Sequence, residues 1–192
     1  MGSWCVDPGG TEERPRFDVH AFVDETKQNG LLIVSTVVEV RHLKEARKQL
    51  RERRARGQNR IHFKKESDPR RRSICSTLCD LQVQAAVYDA TRNRNPLEAR
   101  AACLTAAVED LAEQGAQRLT IEQDDSLVTS DRKVLYQAVR KFEVAETLTY
   151  EHTQPNDEPM LWVSDAIAWW VAKGGDWRDR VNPIITSVRK LA

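Results

Sequence analysis

The 192 residues (22.0 kDa) combine 40% hydrophobic with 31% charged side chains, a balance that excludes a membrane fold and a disordered chain and allows a core without disulfide staples. The net charge of +1 conceals an uneven distribution: residues 41–72 hold 14 Lys or Arg against 4 Asp or Glu, and the rest of the chain holds 16 against 25. That polarity predicts a basic surface suited to a polyanion and a surplus of carboxylates elsewhere.

Residues 1–16 are polar, carry Pro8, Gly9, Gly10 and Pro15, and lack the apolar segment of a signal peptide; they are expected to be a flexible arm. No apolar run is long enough to span a bilayer, so no membrane contact is expected, and the cysteine usage makes a reducing, cytoplasmic home the default expectation. Phe17 to Thr26, FDVHAFVDET, is an apolar strand ending on two adjacent carboxylates, Asp24 and Glu25. Strand alternation puts Phe22 and Asp24 on one face and Val23 and Glu25 on the other. A second strand, Leu31 to Val40, follows a turn closed by Gly30, so the two form a hairpin with the acids at its turn end.

Leu43 to Gly57 is predicted as a helix with a thin apolar stripe of Leu43, Ala46 and Leu50. Lys44, Arg47, Lys48, Arg51 and Arg54 recur along one side. That side is either a solvated charged face or a contact for phosphates. Arg60 to Lys65 reads as a short strand with Ile61 and Phe63 on one face and His62 and Lys64 on the other; the latter pair could touch a phosphate or be ordinary surface.

Asp68 and Pro69 open a helix to about Leu81, and Gln82 to Asp89 is a strand. Asn95 and Pro96 open a helix over Leu97 to Gln114, whose stripe is Ala101, Leu104, Val108 and Leu111, and Gly115 ends it. Ala116 to Asp124 is a strand that also ends in acids, with Leu119 and Ile121 on one face and Glu122 and Asp124 on the other. Ser130 or Asp131 caps a helix to Phe142, and Thr147 to Gln154 is a further strand. The last helix, MLWVSDAIAWWVAK, lies between Pro159 and Gly174 and is apolar nearly all round except for Asp165. A carboxylate among Trp and Leu side chains needs a cation or hydrogen bonds.

Cys5, Cys75, Cys79 and Cys103 form no CxxC pair, and Cys75 with Cys79 fits core thiols better than a metal site. The pattern as a whole predicts an α/β fold, a mixed sheet flanked by helices, over residues 17–181, with 182–192 as a C-terminal tail. Acids from two strand ends and the last helix are what two-metal phosphoryl chemistry requires: carboxylates clamp two Mg²⁺ or Mn²⁺ ions about 4 Å apart, one activating water and one stabilising the leaving oxygen.

The segments AFVDET, IHFKK, RLTIEQD and MLWVSDAIAWW resemble, in order, a bacterial family of uncharacterised proteins with an RNase H-like fold. That family opens with an Ile/Val-Asp-Glu-Ser/Thr motif and closes on an Ala-Asp-type helix. The resemblance implies a metal-dependent nuclease-like site with Asp24, Glu122 and Asp165 at the matching acidic positions and Glu25 and Asp124 as auxiliaries. Two features depart from the ribonuclease H pattern: only two strands precede the first helix, where that pattern has three, and Glu122 stands where Asp is commoner.

The expectation is therefore a nuclease-like protein that hydrolyses RNA or DNA phosphodiester bonds with two divalent ions. Asp24, Glu122 and Asp165 would be catalytic ligands, and His62, Lys64, Lys65, Arg47, Arg51 and Arg54 would bind substrate. The alternatives are an RNase H-like nucleic-acid-binding module without chemistry, or a protein-interaction domain using Trp169, Trp170 and Trp177 as an exposed aromatic patch.

Overall fold

The hairpin acquires its register from the apolar alternation already visible in the chain. In the computed structural model, which describes residues 18–191, Val19–Thr26 (β1) pairs antiparallel with Leu31–Glu39 (β2), placing Asp24 opposite Val34 and Glu25 opposite Ile33. The expected arm over residues 1–16, with Cys5, lies outside the described residues. Gly30 takes φ 97°, and a Cβ there would come within 2.7 Å of the Thr91 Cα and 2.8 Å of the Thr91 carbonyl oxygen. Both the left-handed backbone and the close approach require glycine. Gly30→Ala is expected to cost roughly 1–3 kcal/mol. In a thermal melt this is a drop of roughly 2–4 °C per kcal/mol for a chain of this size.

From β2 the chain enters Val40–Glu52 (α1) and Asp68–Asp80 (α2), then Val83–Ala90 (β3), Pro96–Glu113 (α3), Arg118–Glu122 (β4), Val128–Lys141 (α4), Thr149–Thr153 (β5), Met160–Lys173 (α5), Asp176–Val181 (α6) and Ile185–Lys190 (β6). The six strands lie in the order β5-β4-β1-β2-β3-β6. β1, β2 and β3 form an antiparallel meander, β4 and β5 continue it in parallel on the other side of β1, and β6 runs parallel to β3. This is the expected α/β architecture, a mixed sheet flanked by helices. Two strands precede the first helix, as expected; the third strand of the meander is β3, and α1 and α2 interrupt the chain between β2 and β3 without disturbing their pairing.

The pleat of β1 divides the interior. Phe22 packs with side chains of α1, α2 and α5, including Leu50, Leu78, Ile167 and Trp170, whereas Ala21 and Val23 pack with α3 and α4 through Leu104, Val108, Leu135 and Val139. Each neighbour of the acid pair is thus buried on its own side, which fixes the faces of Asp24 and Glu25. Cys75 lies in the first of these clusters and Cys103 in the second, and burial pushes both thiols up to about 12. Among the described residues, no helix is long and apolar enough to cross a membrane.

The structure corrects several expectations. α1 ends at Glu52 rather than Gly57, because Leu50 is the last buried residue of its stripe and nothing holds a further turn against the core. Residues 60–65 are not a strand. Their alternation is real, with Ile61 and Phe63 buried and His62 and Lys64 more exposed, but it serves a loop and a 3-10 turn, Phe63–Lys65, that plugs Phe63 against α5. The residues expected to form a C-terminal tail include β6, which pairs with β3 and is tied to α3 by Arg189, bonded to Glu109 at 2.7 Å and to Asp110.

The aromatic patch is also overturned. Trp170 is fully buried, and Trp169 and Trp177 are half-buried and meet edge to face at 5.6 Å.

Candidate functional site

β1 and β4 are parallel neighbours, so their carboxyl ends lie side by side. The register pairs Phe22 with Thr120 and Val23 with Ile121, which brings Asp24 beside Glu122 on one face. Leu119 and Ile121 anchor β4 in the opposite cluster and so turn Glu122 toward Asp24.

α5 crosses the same face. The Ser164 hydroxyl donates to the Phe22 carbonyl oxygen at 2.8 Å and lies within hydrogen-bond distance of the Thr36 hydroxyl at 2.9 Å, which seats the helix so that the adjacent Asp165 faces the strand ends. Asp24 is 8% exposed, and its carboxyl is held well above the ordinary carboxylate range, first by burial and then by the charges of Glu122 and Asp165 and a hydrogen bond shared with Glu122. Glu122 and Asp165 are therefore close enough to oppose the ionisation of Asp24.

The loop after α1 reaches this cluster. Arg60 Nη1 lies 3.3 Å from Glu122 Oε1, the Phe63 backbone N–H donates to Asp165 Oδ2 at 3.1 Å, and His62 Nδ1 lies 3.7 Å from the same oxygen. The period-2 burial of Ile61 and Phe63 is what presents Arg60 and His62 to the acids.

Glu25 leaves β1 on the opposite face. It pairs with Lys27 at 2.6 Å and with Arg100. Asp124 is exposed and accepts from the hydroxyl and backbone N–H of Ser126, which hold its carboxyl below the usual range. Both nevertheless border the same cavity as Asp24 and Glu122, a cleft of about 200 Å³ at the ends of β1 and β4 that Arg100 also lines. A crevice beyond the carboxyl ends of parallel strands is where open α/β sheets bind ligands.

The donors fit a hard divalent cation in kind: all are carboxylates, and a positive ion would offset the burial and the like charges that hold the Asp24 carboxyl high. They are not pre-assembled, however. Among the described residues no three His, Cys, Asp or Glu side chains already surround one point in ligating geometry.

Of the basic residues expected to meet a substrate, Arg47 is otherwise engaged. It forms a two-point bond to Glu158 at 3.0 and 2.6 Å, stapling α1 to the approach of α5. Arg51 and Arg54 are exposed, although Arg54 also bonds the carbonyl oxygens of Arg51 and Asn59 and shapes the turn after α1. Lys64 and Lys65 are exposed on the 3-10 turn next to His62. α1, α2 and the connecting loop all pack on the Asp24 face of the sheet, so the basic segment and the acid cluster share one side.

Sequence reasoning gave no site role to Arg100, Asp131 or His152, and read Asp131 only as a possible helix cap. Arg100 donates through Nε and Nη2 to the two oxygens of Asp131 at 2.6 and 2.8 Å, and His152 Nε2 lies 3.1 Å from Asp131 Oδ2. Burial acts to raise the Asp131 carboxyl, but the bonds from Arg100 and His152 outweigh it and leave it lowered. The signal was present: Arg100 precedes Leu104 by four residues and Asp131 precedes Leu135 by four, so each extends its helix's apolar stripe. The buried face of α3 takes in Ala99 and Arg100 rather than the half-buried Ala101, and Asp131 sits inside α4 rather than capping it.

No family model and no curated protein matches the sequence. Among solved structures the chain is similar to a chain of the PCNA–RNase HII complex from Archaeoglobus fulgidus, at 12% identity and TM-score 0.47, covering 80% of this chain and 71% of that one. It is similar also to ribonuclease H2 from Pyrococcus horikoshii OT3, at 14% identity and TM-score 0.47, covering 79% and 70%.

Proposed function

We propose that the protein is a divalent-metal-dependent nuclease that hydrolyses phosphodiester bonds in RNA or DNA, acting in the cytoplasm. The observation that carries this reading is the buried Asp24 carboxyl, pressed by Glu122 and Asp165 at the carboxyl ends of parallel strands. Carboxylates crowded in this way are stable together when a cation shares their charge, and Mg²⁺ or Mn²⁺ suits an all-oxygen donor set.

Asp24, Glu122 and Asp165 would hold the metal, with Glu25 and Asp124 at the margin of the same cleft. Two bound ions would supply an activated water and a stabilised leaving oxygen. His62 and Arg60 stand where they could contact the substrate phosphate, and Arg51, Arg54, Lys64 and Lys65 would hold the flanking backbone on the same side of the sheet.

A specific observation favours a second reading, a nucleic-acid-binding module without chemistry. Arg60 already pairs with Glu122, so a protein cation partly neutralises the acids without metal. One experiment separates the two. Labelled RNA, DNA and RNA–DNA hybrid are incubated with the protein in Mn²⁺, Mg²⁺ or EDTA. Cleavage in either metal and none in EDTA is expected. No cleavage of any substrate, together with binding that EDTA leaves unchanged, would overturn the nuclease reading in favour of the module.

A further inference from the structure

We propose that Arg100 is a positioning residue that makes Glu25 part of the acid-lined cleft, and that Asp131 and His152 hold Arg100 in place for that task. The proposal rests on the reading of the cleft as a divalent-cation site. Glu25 would otherwise be a poor member of such a site, since strand alternation sends it to the face opposite Asp24. What returns it to the cleft is its contact with Arg100, which lines the same cavity.

The guanidinium is fully committed in geometry. Nε and Nη2 form the two-point bond to Asp131, which leaves Nη1 as the group that meets Glu25 Oε2. A planar fork fixed at two points can hold its third donor in one direction only, a constraint that a lysine ammonium does not impose. His152 closes the far side of Asp131 at 3.1 Å. The chain of contacts thus runs from β5 through α4 and α3 to the end of β1, linking four elements in sequence.

Burial sharpens the point. Side-chain exposure is 7% for Arg100, 2% for Asp131 and 5% for His152. Buried ionic networks contribute little net stability compared with well-packed apolar side chains, because desolvation offsets the attraction. Stability therefore does not account for this network, whereas orientation of a ligand-bearing carboxylate does. Outer partners of metal ligands have this effect generally, and their removal typically weakens metal binding about 10- to 100-fold.

The test is Mn²⁺ titration calorimetry on the whole chain, with wild type, Asp24→Asn, Arg100→Lys, Arg100→Gln and His152→Gln. Far-UV circular dichroism and thermal melting accompany each variant. Wild type is expected to bind Mn²⁺ and Asp24→Asn to lose it. Absence of binding in wild type would defeat the cation-site reading, and the proposal with it, before any variant is compared.

With wild-type binding established, Arg100→Lys is expected to weaken affinity about 10- to 100-fold although the charge is kept. Arg100→Gln gives an opposing sign. Removing a cation from the cleft should tighten Mn²⁺ binding if charge alone matters, and weaken it if Arg100 positions Glu25. Wild-type affinity in Arg100→Lys, or tighter binding in Arg100→Gln, would overturn the proposal. Should either Arg100 variant fail to fold, His152→Gln, which leaves the guanidinium intact, decides: a weakened affinity supports the relay and an unchanged one overturns it.

Discussion

Asp24→Asn is expected to abolish metal-dependent cleavage while raising the melting temperature of the metal-free protein at neutral pH. The loss of activity should exceed the roughly 10- to 100-fold typical of outer partners of a metal ligand, because Asp24 stands at the centre of the acid cluster. The gain in stability has the same origin. The Asp24 carboxyl is raised first by burial and then by Glu122 and Asp165, so at neutral pH its ionisation is penalised in the folded state but free in the unfolded one. An amide keeps the shape and hydrogen bonding and carries no charge to bury.

The sign of the pH dependence follows. Between the ordinary Asp value of 3.8 and the raised folded value, the native state keeps a proton that the unfolded state has released. Stability from this group is complete below the unfolded value and is lost as pH rises through the folded one. In EDTA, therefore, wild type should melt at progressively lower temperature as pH increases above about 4, a slope that Asp24→Asn removes.

Asp131 and Asp124 act in a separate window. Their carboxyls are lowered, so their contributions are complete above the ordinary value and disappear only as pH falls below it. Mn²⁺ should reverse the penalty in wild type by binding the native state, and leave the variant unchanged. Parallel pH slopes for the two proteins in EDTA would show that Asp24 does not carry the penalty.

The parts of this site that were legible in the chain are those written in local periodicity. Alternation in FDVHAFVDET and RLTIEQD set which carboxylates share a face, and three- and four-residue spacing placed Asp165 on the packed side of α5. The order of the strands supplied the rest, since only the parallel pairing of β1 with β4 sets Asp24 beside Glu122. Alternation alone could not distinguish strand from anchored loop in residues 60–65. Ile61 and Phe63 are buried as a strand would bury them, but β1 is already flanked by β2 and β4, and β2 by β1 and β3, so the segment joins no ladder.

Arg100 was hidden for a different reason. A long cation on a stripe of Ala, Cys and Leu is explicable only by partners on other elements, and Asp131, His152 and Glu25 come from three of them. Arg47 failed as a surface cation in the same way, because its partner Glu158 is remote in sequence. Strand β6 carries too few buried residues to announce itself; it is defined by β3 and by the acids of α3.

Phe63→Ala is expected to be the most destabilising of the substitutions considered, by about 3–5 kcal/mol, the range for truncating a fully buried aromatic ring. The ring meets Trp170 edge-on at 4.5 Å and Trp169 at 5.4 Å, so its removal leaves a cavity bounded by large rigid side chains that collapse poorly. Phe63→Leu, which keeps most of the volume, should cost distinctly less. Chemical denaturation of both variants checks the ranking, and a cost below about 1 kcal/mol for Phe63→Ala would mean that the ring does not anchor the loop.

The same residue couples packing to the acids. Its backbone N–H donates to Asp165, its carbonyl accepts from Arg71 at 3.2 Å, and its neighbours Arg60 and His62 are the groups that face Glu122 and Asp165. Loss of the ring should therefore weaken Mn²⁺ binding even under conditions where Phe63→Ala remains folded. Phe63→Leu should largely restore it, because what the acids require from this position is a buried anchor that holds the backbone in place.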